Sequence, residues 1–312
     1  MLTLKTMLFT VPAITGWGPF VVTLLVCPII IFLAPLIGLF DEPGSDRKIH
    51  KGAKPLGGTA LIAGFLPFYM VFGTSNLPLV FGLVTVFLAG IADDLHELDP
   101  KTKLFLHLTA AIVVLSSGVF PATSITAGGH SLKLTGWLNS GFLVFWLVGG
   151  TNGFNLIDGL DGLATGIAII ALLPIIGLTP GSTVFLTAVM FLGPLAAVLF
   201  FNFHPAKLFL GDGGSYFVGF LTSYLVIKGL GEVSFTGEEV WGLGPGLLLL
   251  GFPILDTGLA IARRLASRQG IMEADKNHVH HQLLRRYGHT KAVLTIYGFQ
   301  ALLSGIASLL II

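Results

Sequence analysis

The residues able to do chemistry concentrate in five segments of this 312-residue chain. They read GLFDEPGSDRKIHKGAKPLGG (38–58), IADDLHELDPKTK (91–103), TNGFNLIDGLDGL (151–163), FNFHPAKLFLGDGGS (201–215) and RRLASRQGIMEADKNHVHHQLLRRYGHTK (263–291). In the third, Asn152, Asn155 and Asp158 recur every three residues and are followed by Gly159, Asp161 and Gly162. On a helix end that spacing makes a drifting polar stripe, and the glycines allow backbone turns or close ligand approach. Oxygen donors of this kind suit a hard cation such as Mg²⁺ or Mn²⁺ rather than zinc. An ordinary helix-ending turn uses the same residue types, but the regular spacing between two apolar runs favours a ligand site.

The fourth segment repeats the chemistry with a single carboxylate, Asp212, among glycines. Ser215 is a candidate cap for a following helix, whose first N–H groups are suited to a phosphate. Asp93 and Asp94 are adjacent carboxylates that repel unless a cation or basic partner is near. Lys101 and Lys103 are close in sequence, although a solvated loop explains the pair equally well. In the first segment Arg47, Lys48 and His50, followed by Gly57 and Gly58, suit a phosphate-bearing ligand. A topology signal accounts for the cations but not for the histidine or the glycines.

In the last segment His278, His280 and His281 miss the i, i+4 spacing of a helical zinc pair. With Arg263, Arg264, Arg268, Arg285 and Arg286 they better suit anionic oxygens of a nucleotide, phosphate or sugar. Asp256 lies inside an apolar run, a costly place for a charge. Arg263 is two helical turns further on, about 10 Å away, and is the nearest partner in sequence. His96, His107, His130 and His204 read as structural or solvated, and Tyr287 and His289 as decoration of the loop.

The elements that must position these groups are membrane helices. Hydrophobic residues make up 54% of the chain and charged residues 11%, against about 25% charge in a soluble domain. Apolar runs near 20 residues are long enough to cross about 30 Å of hydrocarbon as helices, whereas a β-barrel would show short alternating strands. The expected spans are 17–38, 59–74, 77–91, 104–121, 139–152, 163–177, 183–201, 214–228, 244–262 and 291–312. This predicts an all-α, polytopic integral membrane protein of about ten helices in one domain, 1–312. Residues 1–16 read as a tail or interfacial segment with no signal-peptide cleavage site.

The five segments follow the odd-numbered spans and so emerge on one face. They hold 14 of the 17 Lys and Arg residues, which places that face in the cytoplasm and both termini outside. Cys27 is the single cysteine, which excludes an internal disulfide or a cysteine zinc site. A net charge of +1 gives no sign of a nucleic-acid partner.

Taken together, DEP…DRKIHKGAKPLGG, ADDLHELDPKTK, NGFNLIDGLDGL, FLGDGGS, PILDT and DKNHVHHQLL resemble the polyprenyl-phosphate N-acetylhexosamine-1-phosphate transferases (glycosyltransferase family 4) over roughly residues 39–290. The HVHH ending resembles the branch that uses UDP-N-acetylglucosamine. The resemblance implies that undecaprenyl phosphate attacks the β-phosphate of a UDP-N-acetylhexosamine. The products are the lipid diphosphate sugar, which initiates a cell-envelope glycan, and UMP. It implies Mg²⁺, with Mn²⁺ as a substitute, at Asn155 and Asp212. Asp93 and Asp94 would sit with the polyprenyl phosphate, as base or beside the metal, and Lys103 would contact phosphate. Asp161 would recognise uracil, with Asp158 and Asn152 in the same nucleotide segment. His278, His280 and His281 would bind the sugar phosphate, and Arg47, Lys48 and His50 would line the site. The lipid would enter sideways between spans of the plasma membrane, and a homodimer through a lipid-facing surface is compatible with the family. Many members carry a further span beyond the histidine segment, where this chain has one.

Two other readings compete. Phospho-N-acetylmuramoyl-pentapeptide transferase uses the same chemistry with a bulkier donor. An ion-coupled transporter would place ionisable groups at mid-membrane, where this chain puts only Asp256.

Overall fold

The computed structural model describes residues 4–34, 36, 56–74, 76–118, 120–127, 130–233, 240–267 and 278–311. Its helices are α1 (Leu4–Leu33), α2 (Gly57–Phe72), α3 (Leu77–His96), α4 (Pro100–Leu115), α5 (Gly136–Ile157), α6 (Leu163–Leu178), α7 (Thr183–Asn202), α8 (Gly211–Glu232), α9 (Leu243–Leu249), α10 (Gly251–Ala266), α11 (Val279–Tyr287) and α12 (His289–Ile311). Five of them are long and apolar enough to cross a membrane, or six if the bent pair α9–α10 is one span; α2 and α6 are shorter apolar helices. The protein is thus a helical, multi-pass membrane protein. Large apolar side chains cover its outside, among them Phe200 at 74% exposure and Leu309 at 77%. In lipid such a surface needs no polar cover, and the helical backbone satisfies itself.

Local signals explain where helices begin. Asn76 accepts from the Leu79 N–H at the start of α3, with Pro78 in the first turn. Asp99 accepts from the Lys101 and Thr102 N–H groups at the start of α4, directly before Pro100. These are side-chain caps that satisfy otherwise orphaned donors, with proline where its missing N–H does no harm. The Thr102 hydroxyl donates to the same carboxyl and, with the Thr102 N–H, holds Asp99 below the usual carboxylate range.

The centre of the fold is α8. Nearly every residue from Gly211 to Gly231 is buried, and α2, α3, α5, α6 and α7 pack around it. A helix without a polar face is one that neighbours surround. Small residues let those neighbours close in. A Cβ on Gly90 of α3 would lie 2.3 Å from the Gly213 nitrogen, and one on Gly58 of α2 would lie 2.4 Å from the Gly214 nitrogen. The Gly57 and Gly58 N–H groups also donate to the carbonyls of Phe209 and Leu210.

The structure corrects four expectations. Residues 4–13 continue α1 instead of forming a separate tail; extending an existing apolar helix adds a hydrogen bond per residue without a new nucleus. The fold is not purely helical. Strands β1 (Ala122–Ala127), β2 (His130–Lys133) and β3 (Val240–Gly242) form a sheet ordered β2-β1-β3, antiparallel between β1 and β2 and parallel between β1 and β3. The β-branched alternation of ATSITA favours that outcome. The ninth expected span is broken, with an 88° bend between α9 and α10. Finally, the histidine segment is partly helical, since α11 places Val279, Leu283 and Leu284 against the core.

Candidate active site

One end of the bundle collects four of the five polar segments: the C-terminal ends of α3 and α5, the N-terminal ends of α4 and α8, and the start of α11. The sheet lies at the other end, between the α4 C-terminus and the α5 N-terminus. Arg47, Lys48 and His50 lie outside the described residues.

Asp93 occupies the last turn of α3 and is 5% exposed. Its Oδ1 accepts from the Leu98 N–H at 2.9 Å, and its Oδ2 accepts from the Tyr216 hydroxyl at 3.1 Å. Lys103 Nζ stands 2.5 Å from that same oxygen. Of the two lysines in the segment, Lys103 is thus the one turned toward Asp93. Asp212 is a further neighbour of the Asp93 carboxyl.

Asp94 points differently. Its two oxygens accept from the backbone N–H groups of Asp212, at 3.1 Å, and Gly213, at 3.3 Å. Asp94 therefore caps α8 from the neighbouring helix. This overturns two expectations. Ser215 does not cap α8, because it sits inside the first turn and donates to the Asp212 carbonyl. Nor are the Asp212 and Gly213 N–H groups open to a phosphate, because Asp94 already takes them.

Asn155, in the last turn of α5, donates from Nδ2 to Asp212 Oδ1 at 2.8 Å and to Ser215 Oγ at 3.0 Å. With both amide hydrogens so directed, the carbonyl oxygen is the atom Asn155 offers to a ligand. Asp93, Asp212 and Asn155 thus bring two neighbouring carboxylates and an amide oxygen together. This is a hard-oxygen donor set of the kind Mg²⁺ takes, and a cation would relieve the repulsion between the acids.

Asn152, one turn earlier, is turned away. Its Nδ2 donates to the Val148 carbonyl at 2.8 Å and lies 3.3 Å from His107 Nδ1. His107 in turn meets the Tyr216 ring edge-on at 4.5 Å between centroids. Asp158 is the C-cap residue of α5, its N–H donating to the Asn155 carbonyl. Asp161 lies in the turn that follows, 4% exposed. Its Oδ2 is 2.7 Å from His204 Nδ1 and 3.7 Å from His289 Nε2, while its N–H donates to that same Nε2 at 3.0 Å. The His204 and His289 rings stack at 4.1 Å. These two histidines, His204 expected to be structural or solvated and His289 to decorate its loop, therefore frame Asp161. No sequence spacing announces this, since 43 and 128 residues separate them from it.

Asn202 was also missed. It ties the same turn to the following polar segment, accepting from the Gly162 N–H and donating to the Leu208 carbonyl. Tyr216, directly after the GDGGS stretch, is the residue whose position in sequence could have been read.

His278, His280 and His281 come together at the start of α11, with the His280 and His281 rings 4.2 Å apart. Both face Gly159: a Cβ there would lie 3.0 Å from His280 Nε2 and 3.4 Å from His281 Cε1. Burial, and then the neighbouring His280 and His278, push the His281 imidazole down to about 4. Asp256 pairs with His278 and His280 and not with Arg263 as its ionic partner. Gly159, in the turn directly after α5, follows Asn155 by four residues, so the same short segment meets the histidines and the carboxylates.

The chain is similar to known proteins over most of its length. Residues 76–230 match the model of glycosyl transferase family 4, a stretch that holds Asp93, Asp94, Lys103, Asn155 and Asp212. A probable undecaprenyl-phosphate N-acetylglucosaminyl 1-phosphate transferase of Bacillus subtilis (strain 168) is 35% identical over 284 residues, covering 88% of this chain and 78% of the relative. A decaprenyl-phosphate N-acetylglucosaminephosphotransferase of Mycobacterium leprae (strain TN) is 33% identical, covering 81% and 72%. A phospho-N-acetylmuramoyl-pentapeptide-transferase of Streptococcus agalactiae serotype III (strain NEM316) aligns over less, 66% of each chain at 31% identity. With most of its length aligned to such relatives and its acidic cluster inside the matched stretch, the chain belongs to glycosyl transferase family 4.

Proposed function

We propose that this protein transfers N-acetylglucosamine 1-phosphate from UDP-N-acetylglucosamine to undecaprenyl phosphate at the cytoplasmic edge of the plasma membrane. The observation that carries the reading is the meeting of Asp93, Lys103, Asn155 and Asp212 at the first turn of α8, in a chain 35% identical over 88% of its length to a relative named for that activity. An oxygen of the lipid phosphate forms a bond to the β-phosphorus of the nucleotide sugar. The bond to the bridging oxygen breaks, and UMP leaves with the electron pair. One phosphoanhydride replaces another, so catalysis is chiefly positioning and charge neutralisation.

Asn155 and Asp212 are the residues that would hold Mg²⁺, which when bound neutralises charge on the diphosphate. Lys103, braced by Asp93, is placed for a phosphate oxygen. Because the second pKa of a phosphate monoester is about 6, the acceptor arrives largely ionised and needs no strong base. Asp93, which already receives Leu98, Tyr216 and Lys103, acts as that brace. Asp158 and Asp161 are assigned to the nucleotide and the three histidines to the sugar phosphate. Arg47, Lys48 and His50 are assigned to the site by the family resemblance alone. Ten crossings follow if α1 to α8, the bent α9–α10 pair and α12 each span the bilayer.

The test is a transfer assay on purified protein with undecaprenyl phosphate, Mg²⁺ and sugar-labelled UDP-N-acetylglucosamine. Label moves to lipid with release of UMP, and both stop in EDTA. Asp212→Asn lowers kcat at least about 10²-fold, the scale of losing one electrostatic stabiliser. Transfer only from UDP-N-acetylmuramoyl-pentapeptide would reassign the donor, and no transfer from any UDP-sugar by folded protein would end the transferase reading.

A further inference from the structure

Asp256 sits on α10, just past the bend, and is fully buried. Its Oδ2 lies 2.8 Å from His278 Nδ1 and 2.9 Å from His280 Nδ1, while its Oδ1 accepts from the Val279 N–H at 2.6 Å. An acidic residue in an apolar helix has thus gathered three donors from the short stretch 278–280 at the start of α11. An ionised carboxylate only accepts, so each Nδ1 at that distance carries the proton. The consequence falls on the far side of both rings: Nε2 is the atom each offers, an acceptor when the ring is neutral and a donor to an anionic oxygen when it is charged.

His280 Nε2 is buried and has no hydrogen-bond partner among the described residues, and it faces Gly159 in the turn after α5. An orphaned buried polar atom is destabilising, and a ligand that supplies the partner removes that cost. The three side chains do not suit zinc. Nitrogen and oxygen ligands at 2.0–2.2 Å from a tetrahedral ion stand roughly 3.3 Å apart, whereas 2.8 and 2.9 Å are ordinary proton-bridged contacts.

We propose that Asp256 is a positioning residue that holds His278 and His280 with the proton on Nδ1, so that Nε2 of each is left for the sugar-phosphate portion of the donor, His280 presenting its own beside Gly159. What the histidines touch rests on the transferase reading; how they are held does not.

The test separates the two. In ¹⁵N-histidine-labelled full-length protein in detergent, two rings give the Nδ1–H tautomer, and Asp256→Asn converts at least one of them to Nε2–H, because the new amide donates where a carboxylate accepted. In the transfer assay the same variant lowers kcat/KM for UDP-N-acetylglucosamine about 10–100-fold, the scale for removing a carboxylate that orients a histidine, and leaves KM for undecaprenyl phosphate unchanged. In a His278→Ala, His280→Ala background, Asp256→Asn causes no further loss. Rings protonated on Nε2 in the unaltered protein would overturn the proposal without recourse to any variant. So would an Asp256→Asn loss of equal size with and without the histidines, which would make Asp256 a purely structural residue. If no UDP-sugar is transferred, the assignment of the ligand falls with the transferase reading, while the spectra still decide the tautomers.

Discussion

At the scale of single residues, the paired acids Asp93 and Asp94 look alike in sequence and do different things. Adjacent residues on a helix point about 100° apart, which sends Asp93 toward Lys103 and Tyr216 and Asp94 toward the first N–H groups of α8. A cap of this kind is worth about 1 kcal/mol and is preserved by asparagine better than by alanine. Asp94→Ala therefore lowers stability by about that much and Asp94→Asn by less, read from denaturation midpoints in detergent, while Asp93→Asn leaves the α8 cap intact. His281 provides a second prediction. Burial lowers its folded value to about 4, against an ordinary value near 6.5, so between those pH values the unfolded chain binds more protons than the folded one. Stability from this group is complete above about pH 6.5 and falls as the pH drops toward 4. The thermal midpoint thus declines on acidification, and His281→Gln declines less over the same range; equal slopes would exclude His281 as the source.

At the scale of elements, the bend between α9 and α10 must dispose of backbone groups inside an apolar environment. Gln300 of α12 does so. Its Oε1 accepts from the Phe252 N–H at 2.9 Å, and its Nε2 donates to the carbonyls of Leu248, at 3.2 Å, and Leu249, at 2.9 Å. Gln300→Leu keeps the size but strands these groups, and each buried orphan costs about 1–3 kcal/mol. The variant unfolds at lower temperature, and because α10 carries Asp256, it also loses donor affinity more than acceptor affinity; an unchanged melting curve would show that the bend needs no brace. The bend marks a limit of sequence reading. PGLLLLGFPILDT reads as one apolar run, and only Gly251 and Pro253 hint at a break. By contrast Asn155 and Asp212 stand out in sequence as polar residues near glycines between apolar runs, and it is the family resemblance that groups Lys103 with them. The partners of Asp161 and Asp256 were not legible, because each comes from another segment of the chain, and helix packing, not local spacing, decides who meets whom.

At the scale of the whole molecule, charge asymmetry and site geometry make one joint prediction. The polar ends of α3, α4, α5, α8 and α11 converge at one end of the bundle, and the small sheet lies at the other. The four segments at the converging end hold 10 of the 17 Lys and Arg residues, and short basic loops stay in the cytoplasm. The reaction makes the same demand independently, since a nucleotide sugar is a cytoplasmic substrate. The single cysteine, Cys27, is buried, so introduced cysteines report on topology with little background. Glu97 lies at the α3–α4 turn beside Asp93, and Leu132, 62% exposed, lies on β2. In intact cells a membrane-impermeant maleimide labels Leu132→Cys and leaves Glu97→Cys unreacted until the membrane is opened. The opposite pattern would place the acidic cluster outside, away from nucleotide and Mg²⁺ alike, and would remove the proposed donor however well the cluster is formed.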